Sequence, residues 1–282
     1  MDWKKSKIIL IIVLLIANLL LFFYINYNKV RFRDESGTTE FTRKVVSILK
    51  EKQIEIDGDI PKKGLLLPSV LVELQISEPK DLNDVYFDGK GTITRPSTDR
   101  TVISLGEEYI NLVNNKRIFY ENRKEEQKYK IKDLDEAQQI VENFMLKRKY
   151  DTRNMALSYF EVVDDKYILN YTKKFENLPL ESTYTNFVID GRGVVSMDRL
   201  WLNVVDKSDQ EIYLSPAPEA LLSLLNKEDV YSKTINKISP CYYFNPEDQG
   251  YIEDITRAVK GRAIPAWKIE FSDGDFIVVD NY

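Results

Sequence analysis

Residues Ile8 to Ile25 form an unbroken apolar stretch of 18 residues in which Asn18 is the only strongly polar side chain. As a helix rising about 1.5 Å per residue it would span roughly 27 Å, close to the ~30 Å hydrocarbon core of a bilayer. The rest of the 282-residue chain is charged, aromatic and turn-rich. The pattern predicts one transmembrane helix followed by a large water-soluble body. A soluble core helix is rarely apolar on every face for so long. The stretch closes on Leu21-Phe22-Phe23-Tyr24-Ile25-Asn26-Tyr27, which offers a signal peptidase no A-x-A-like site, so it reads as a permanent anchor and not as a cleaved leader.

Lys4, Lys5 and Lys7 precede the stretch and Lys29, Arg31 and Arg33 follow it, so the flanking charge is almost balanced. A short tail, residues 1–7, stays in the cytoplasm while a large body is exported, which favours a single-pass protein of the cell membrane with its C-terminal domain outside. Residues 26–37 read as a polar stem. Residues 1–33 hold six basic side chains and one acidic, a sum of +5; with the whole chain at −5, residues 34–282 carry −10. An acidic body on a basic stem fits anionic head groups and argues against nucleic acid as a ligand.

The chemistry available to the body is narrow. No histidine occurs anywhere, and Cys241 is the only cysteine. That excludes Ser–His–Asp and Cys–His nucleophilic sites, histidine and thiolate zinc sites, C-x-x-C redox pairs and intrachain disulfides. Gly89-Lys90-Gly91 and Gly191-Arg192-Gly193 lack the third glycine of a dinucleotide site and read as turns. Carboxylate pairs such as Glu107-Glu108, Asp164-Asp165 and Glu247-Asp248 are inevitable among 45 acidic residues, and acidic side chains mostly lie solvated at the surface. The expectation is a protein without catalytic groups, cofactor or metal.

Periodicity organises the body. Thr38 or Thr39 caps a helix whose Phe41, Val45, Val46, Ile48 and Leu49 make one apolar stripe. Ile54 and Ile56, Leu65–Ile76, Val85–Phe87 and Thr101–Leu105 read as strands, and Asn114-Asn115 as a hairpin turn. The mixed-charge run Glu121 to Lys132 reads as a boundary between one domain over 38–128 and another over 129–282. Asp133 and Glu136 have capping-box spacing at the head of a helix bearing Leu134, Ala137, Ile140, Val141, Phe144 and Met145. Such a stripe packs on its own sheet or docks a partner; the former is how amphipathic helices usually bury themselves.

Strands follow over Met155–Val163, Lys166–Phe175, Tyr184–Asp190 and Val194–Val205, then a short helix opened by Ser215-Pro216, and a last hairpin turning at Asp273-Gly274. FVIDGRGVVS and IEFSDGDFIVV are counterparts in a weak internal repetition. Trp201, Trp267 and Tyr242-Tyr243-Phe244 read as core or cross-strand aromatics, with an exposed interaction row as the alternative. The class is α+β, with helices laid on antiparallel sheets.

The opening Met1-Asp2-Trp3-Lys4-Lys5-Ser6-Lys7-Ile8, and the anchor passing through Asn18-Leu19-Leu20-Leu21-Phe22, resemble the YycI family of low-GC Gram-positive bacteria. The resemblance implies a bitopic protein with its ectodomain outside the membrane, similar to the two C-terminal domains of YycH. It implies partners: a YycH-like protein and the sensor histidine kinase YycG, also called WalK, which governs cell-wall genes. It implies contact through transmembrane helices as well as ectodomains, and neither enzymatic activity nor cofactor.

Within hydrocarbon an unpaired amide is costly, so Asn18 is the candidate transmembrane contact, with Leu14, Leu15, Leu21 and Phe22 on the same face at helical spacing. The bland reading has Asn18 bonding its own backbone or tolerated in lipid. Two other functions stay open: a wall-peptide or polysaccharide binding module, and a tethered carboxylate hydrolase needing two acids a few ångströms apart.

Overall fold

The computed structural model describes residues 3–247 and 254–280; in the first helix, side chains are described at Lys7, at Leu10–Tyr24 and again from Ser36. Met1 and Asp2 of the opening tag, and Asp248 of one acidic pair, lie outside the described residues. α1 (Trp3–Ser36) holds the apolar stretch and continues through the expected stem. The stem is therefore helix up to Ser36, because no glycine or proline interrupts the chain before Gly37. Among the described residues no helix is long and apolar enough to cross a membrane. The apolar side chains described there, Leu10–Tyr24, fall short of the ~20 residues a crossing takes.

α2 (Thr39–Glu51) starts as expected: the Thr38 hydroxyl accepts the Phe41 N–H at 3.2 Å. Then come β1 (Glu55–Ile56) and β2 (Leu65–Leu74). Val85–Phe87, expected as a strand, instead ends α3 (Pro79–Phe87). Pro79 sits in the first turn, where its missing N–H costs nothing, and Asp88 in the left-handed region stops the helix. β3 (Thr92–Thr94), β4 (Arg100–Leu105), β5 (Glu108–Val113) and β6 (Arg117–Asn122) follow. Asn114 and Asn115 both adopt positive φ in the turn joining β5 to β6, a conformation asparagine tolerates well.

α4 (Leu134–Lys147) is capped by Asp133, whose carboxylate accepts the Glu136 N–H at 2.9 Å. Glu136 in turn accepts the Lys132 N–H at 2.9 Å, one residue before the usual capping-box donor. β7 (Met155–Val163), β8 (Lys166–Phe175) and β9 (Leu178–Asp190) come next. The single strand expected over Val194–Val205 is two, β10 (Gly193–Leu200) and β11 (Leu202–Leu214), with Trp201 between them. α5 (Ala217–Leu221) runs on as a 3-10 turn, and β12 (Thr234–Tyr243), β13 (Lys260–Phe271) and β14 (Phe276–Val279) end the described chain.

The chain divides into two compact units that interleave in sequence, not into consecutive domains meeting at residue 128. One comprises residues 1–66, 213–239 and 267–282; the other comprises 67–212 and 240–266. The charged run after β6 falls inside the second unit, where Lys128 and Tyr129 donate their N–H groups to the Gly191 carbonyl.

In the first unit, β1 pairs in parallel with β12 and β13 pairs antiparallel with β14. α2 and α5 cover them around Val45, Leu49, Leu221, Leu224, Trp267 and Ile269. The Trp267 indole donates to the Ser215 carbonyl at 2.8 Å, so its buried N–H is satisfied. In the second unit β3–β4–β5–β6–β10–β9–β8–β7 run antiparallel throughout. Ala137, Val141 and Met145 of α4 are buried against this sheet with Phe187 and Met197, so the stripe packs internally. A separate core joins Val70 and Val72 of β2 to Leu200, Tyr242 and Phe244. Tyr242, Phe244, Trp201 and Trp267 are buried and Tyr243 is half-buried, so these aromatics form no exposed row.

Candidate functional site

Along β10, alternation sends Met197 and Arg199 to the face covered by α4 and Asp198 to the other. Asp198 is held there by Arg117 through two bonds of 3.0 and 2.8 Å. Arg199 therefore points into the unit without its neighbouring carboxylate. It is 2% exposed. Its guanidinium donates to the hydroxyl of Thr185, its direct cross-strand partner on β9, at 2.7 Å, and to the Gln75 side-chain carbonyl at 3.2 Å. Its Nε–H has no acceptor, and among the described residues it forms no ion pair.

Aromatic rings take the place of a counter-ion. The guanidinium carbon lies 4.2 Å from the Trp201 ring centroid and 4.7 Å from that of Tyr150. The hydroxyls of Tyr150 and Tyr86 hydrogen-bond at 3.2 Å, and Arg148 lies 4.6 Å from the Tyr86 ring. Burial pushes both phenols up, so they are neutral at ordinary pH and supply ring faces, not charge. Burial also lowers Arg199 to about 10, still cationic at neutral pH.

Tyr150 reaches this place through the end of α4. Lys149 adopts φ 61°, and the Tyr150 N–H returns to the Met145 carbonyl at 3.0 Å, closing the helix and turning the tyrosine inward. Lys173 of β8 approaches from the other side. Its ammonium lies 5.5 Å from the Trp201 ring and donates to the Leu202 carbonyl at 2.8 Å; burial, with Arg199 nearby, lowers its pKa. Lys149, Lys173 and Arg199 thus line one recess of about 230 Å³, together with amides of Gln75, Asn154 and Asn203. Its one acid, Asp151, is gripped by Arg153 at 2.9 and 2.8 Å, which holds the carboxyl down at about 2.

The residues named from the sequence stand elsewhere. Leu14, Leu15, Asn18, Leu21 and Phe22 lie on α1 with exposed side chains, and none is a core residue. Glu108 accepts from the Tyr120 hydroxyl at 2.8 Å and pairs with Lys124; burial raises its pKa, but these two partners outweigh that and hold it below the usual range. Asp164 and Asp165 form the positive-φ turn between β7 and β8. Among the described residues no cluster of acids or cysteine is arranged to hold a metal.

Asn114 does more than turn the chain. Its amide donates to Asp254 and Thr256 at 3.2 and 2.7 Å, while the Lys116 ammonium donates to the Thr256 and Ala258 carbonyls at 2.8 and 2.7 Å. The recess residues had one signal in the sequence: a charged Arg199 at an inward position of a strand, between Met197 and Trp201.

No family model matches the chain, and no curated protein is similar to it. Solved structures are. An uncharacterized protein from Eubacterium rectale aligns over 80% of this chain and 86% of its own, at 11% identity and a TM-score of 0.52. YycH from Bacillus subtilis aligns over 79% of this chain and 56% of its own, at 12% identity and a TM-score of 0.47. The C-terminal domain of Bacillus megaterium YpeB aligns over 73% of this chain and 100% of its own, at 11% identity and a TM-score of 0.39.

Proposed function

We propose that this chain is a membrane-anchored accessory regulator of a cell-wall sensor histidine kinase of the YycG type, acting with a YycH-like partner and carrying no catalysis of its own. The observation that carries the reading is α1. Its apolar stretch is helical, its described side chains from Leu10 to Tyr24 stand exposed, and the helix runs without a break to the buried Ser36. Gly37 follows, packed so closely that an added Cβ would lie 2.3 Å from the Lys62 carbonyl oxygen. A helix joined to its body in this way transmits a shift of either part to the other, which a slack stem does not. The N-terminal resemblance to the YycI family supplies the partners. The cytoplasmic tail, the outside location of the body and the span over Ile8–Ile25 belong to the same proposal.

In-cell crosslinking from α1 and from the body, followed by identification of the captured proteins, tests it. The expected catch is a sensor kinase and a YycH-like protein. Recovery of neither overturns the reading.

A further inference from the structure

We propose that the recess lined by Arg199, Lys173 and Lys149 is a binding site for an oxyanion, a phosphate or carboxylate group carried by a small ligand.

A buried cation without a counter-charge is costly even after relaxation, and folded chains normally pair it. Arg199 is not paired by any described carboxylate. Of its five N–H groups, Thr185 and Gln75 accept one each, and the buried Nε–H is left over. Lys173 keeps donors beyond its bond to the Leu202 carbonyl, and Lys149 stands exposed at the rim. Gln75 spends its carbonyl on Arg199, which leaves its NH₂ as a donor toward the recess. Donors thus converge from four side chains, and the one acid in the wall is occupied by Arg153.

The geometry is also held still. Trp201 and Tyr150 stack on the guanidinium, and Thr185 fixes its rotation. A fixed planar fork beside a flexible ammonium is the arrangement that recognises carboxylate or phosphate oxygens. With about 30 Å³ per water in the liquid, a recess of about 230 Å³ admits one such group and a few waters. The inference does not depend on kinase regulation and survives its failure.

The test is equilibrium dialysis of the full chain in non-ionic detergent against radiolabelled inorganic phosphate and, separately, acetate, at constant ionic strength. Saturable binding of at least one anion, one per chain, is expected. Lys173→Gln should weaken it about tenfold, the worth of one charge-assisted hydrogen bond. Lys207→Gln, on an exposed pair with Glu176, should leave it unchanged. Arg199→Met should abolish binding; if that variant does not fold, the double change Lys149→Gln with Lys173→Gln decides. Phosphate binding alone points to a phosphorylated ligand and acetate binding alone to a carboxylic acid. Absence of saturable binding by the folded wild-type chain, or unaltered binding in folded Lys173→Gln, overturns the proposal.

Discussion

The guanidinium of Arg199 lies 4.2 Å from the ring centroid of Trp201, two residues further along the chain, where β10 gives way to β11. This contact helps an unpaired buried cation survive in the fold. Trp201, between the two strands, lies against Arg199, and so does Tyr150, which follows the left-handed Lys149. The electron-rich ring faces offset part of the lost hydration. They do not neutralise the charge.

Arg199→Met should therefore leave unfolding free energy within about 1 kcal/mol of the wild type, because replacing a buried charge with an apolar side chain of similar volume is often neutral or stabilising. Lost bonds to Thr185 and Gln75 oppose the relief of desolvation. Urea unfolding of the full chain measures this. A loss of several kcal/mol would show that Arg199 is a structural keystone and not a group held ready for a ligand.

Lys149→Gly should separate stability from binding. A non-glycine residue in the left-handed region is strained, and glycine there removes the strain, so the variant should gain about 0.5–1 kcal/mol. It also removes one cation from the recess. A higher denaturation midpoint together with weaker anion binding is the expected pair of results; a lower midpoint would contradict the helix-end argument.

Alkaline pH should destabilise the fold. Burial pushes Tyr171, Tyr184 and Tyr242 up to about 12 from an ordinary 10.0. Each contributes stability that is whole below pH 10 and lost as pH rises through about 12, since the unfolded chain releases the proton first. Arg199 acts in the opposite sense: burial lowers it to about 10, so its deprotonation in the fold relieves a penalty. Lys173 and Lys116, also lowered by burial, act as Arg199 does, but the tyrosines raised by burial outnumber these cations. The urea midpoint should fall from about pH 10 to about pH 12, with phenolate absorbance lagging behind that of the unfolded chain; a flat or rising midpoint would refute this.

Local chemistry was readable where the cause is local. The Thr38 and Asp133 caps, the Asn114-Asn115 turn and the Asp273-Gly274 hairpin each depend on a few adjacent residues, and each stands where the pattern placed it. α3 was not readable as helix, since Val85-Tyr86-Phe87 satisfies strand propensity and only Pro79 and Asp88 argue otherwise. The interleaved units and the recess depend on contacts between distant segments. Gln75, Lys149, Lys173 and Arg199 share no period, so a reading by stripes passes over them.

The proposed membrane reading of α1 gives the last prediction. Asn18 stands exposed on α1, with Leu14 and Leu15 at 63% and 60% exposure one turn before it and Leu21 and Phe22 at 58% and 63% one turn after. In hydrocarbon this surface favours a second helix, and an interhelical amide bond contributes about 0.5–2 kcal/mol, a shift of roughly two- to thirtyfold in an equilibrium. Asn18→Leu keeps the helix apolar and removes only the amide. Reporter output from a kinase-controlled promoter should then change by at least about twofold at equal protein level. Unchanged output would remove Asn18 from the signalling contact and leave α1 as a tether.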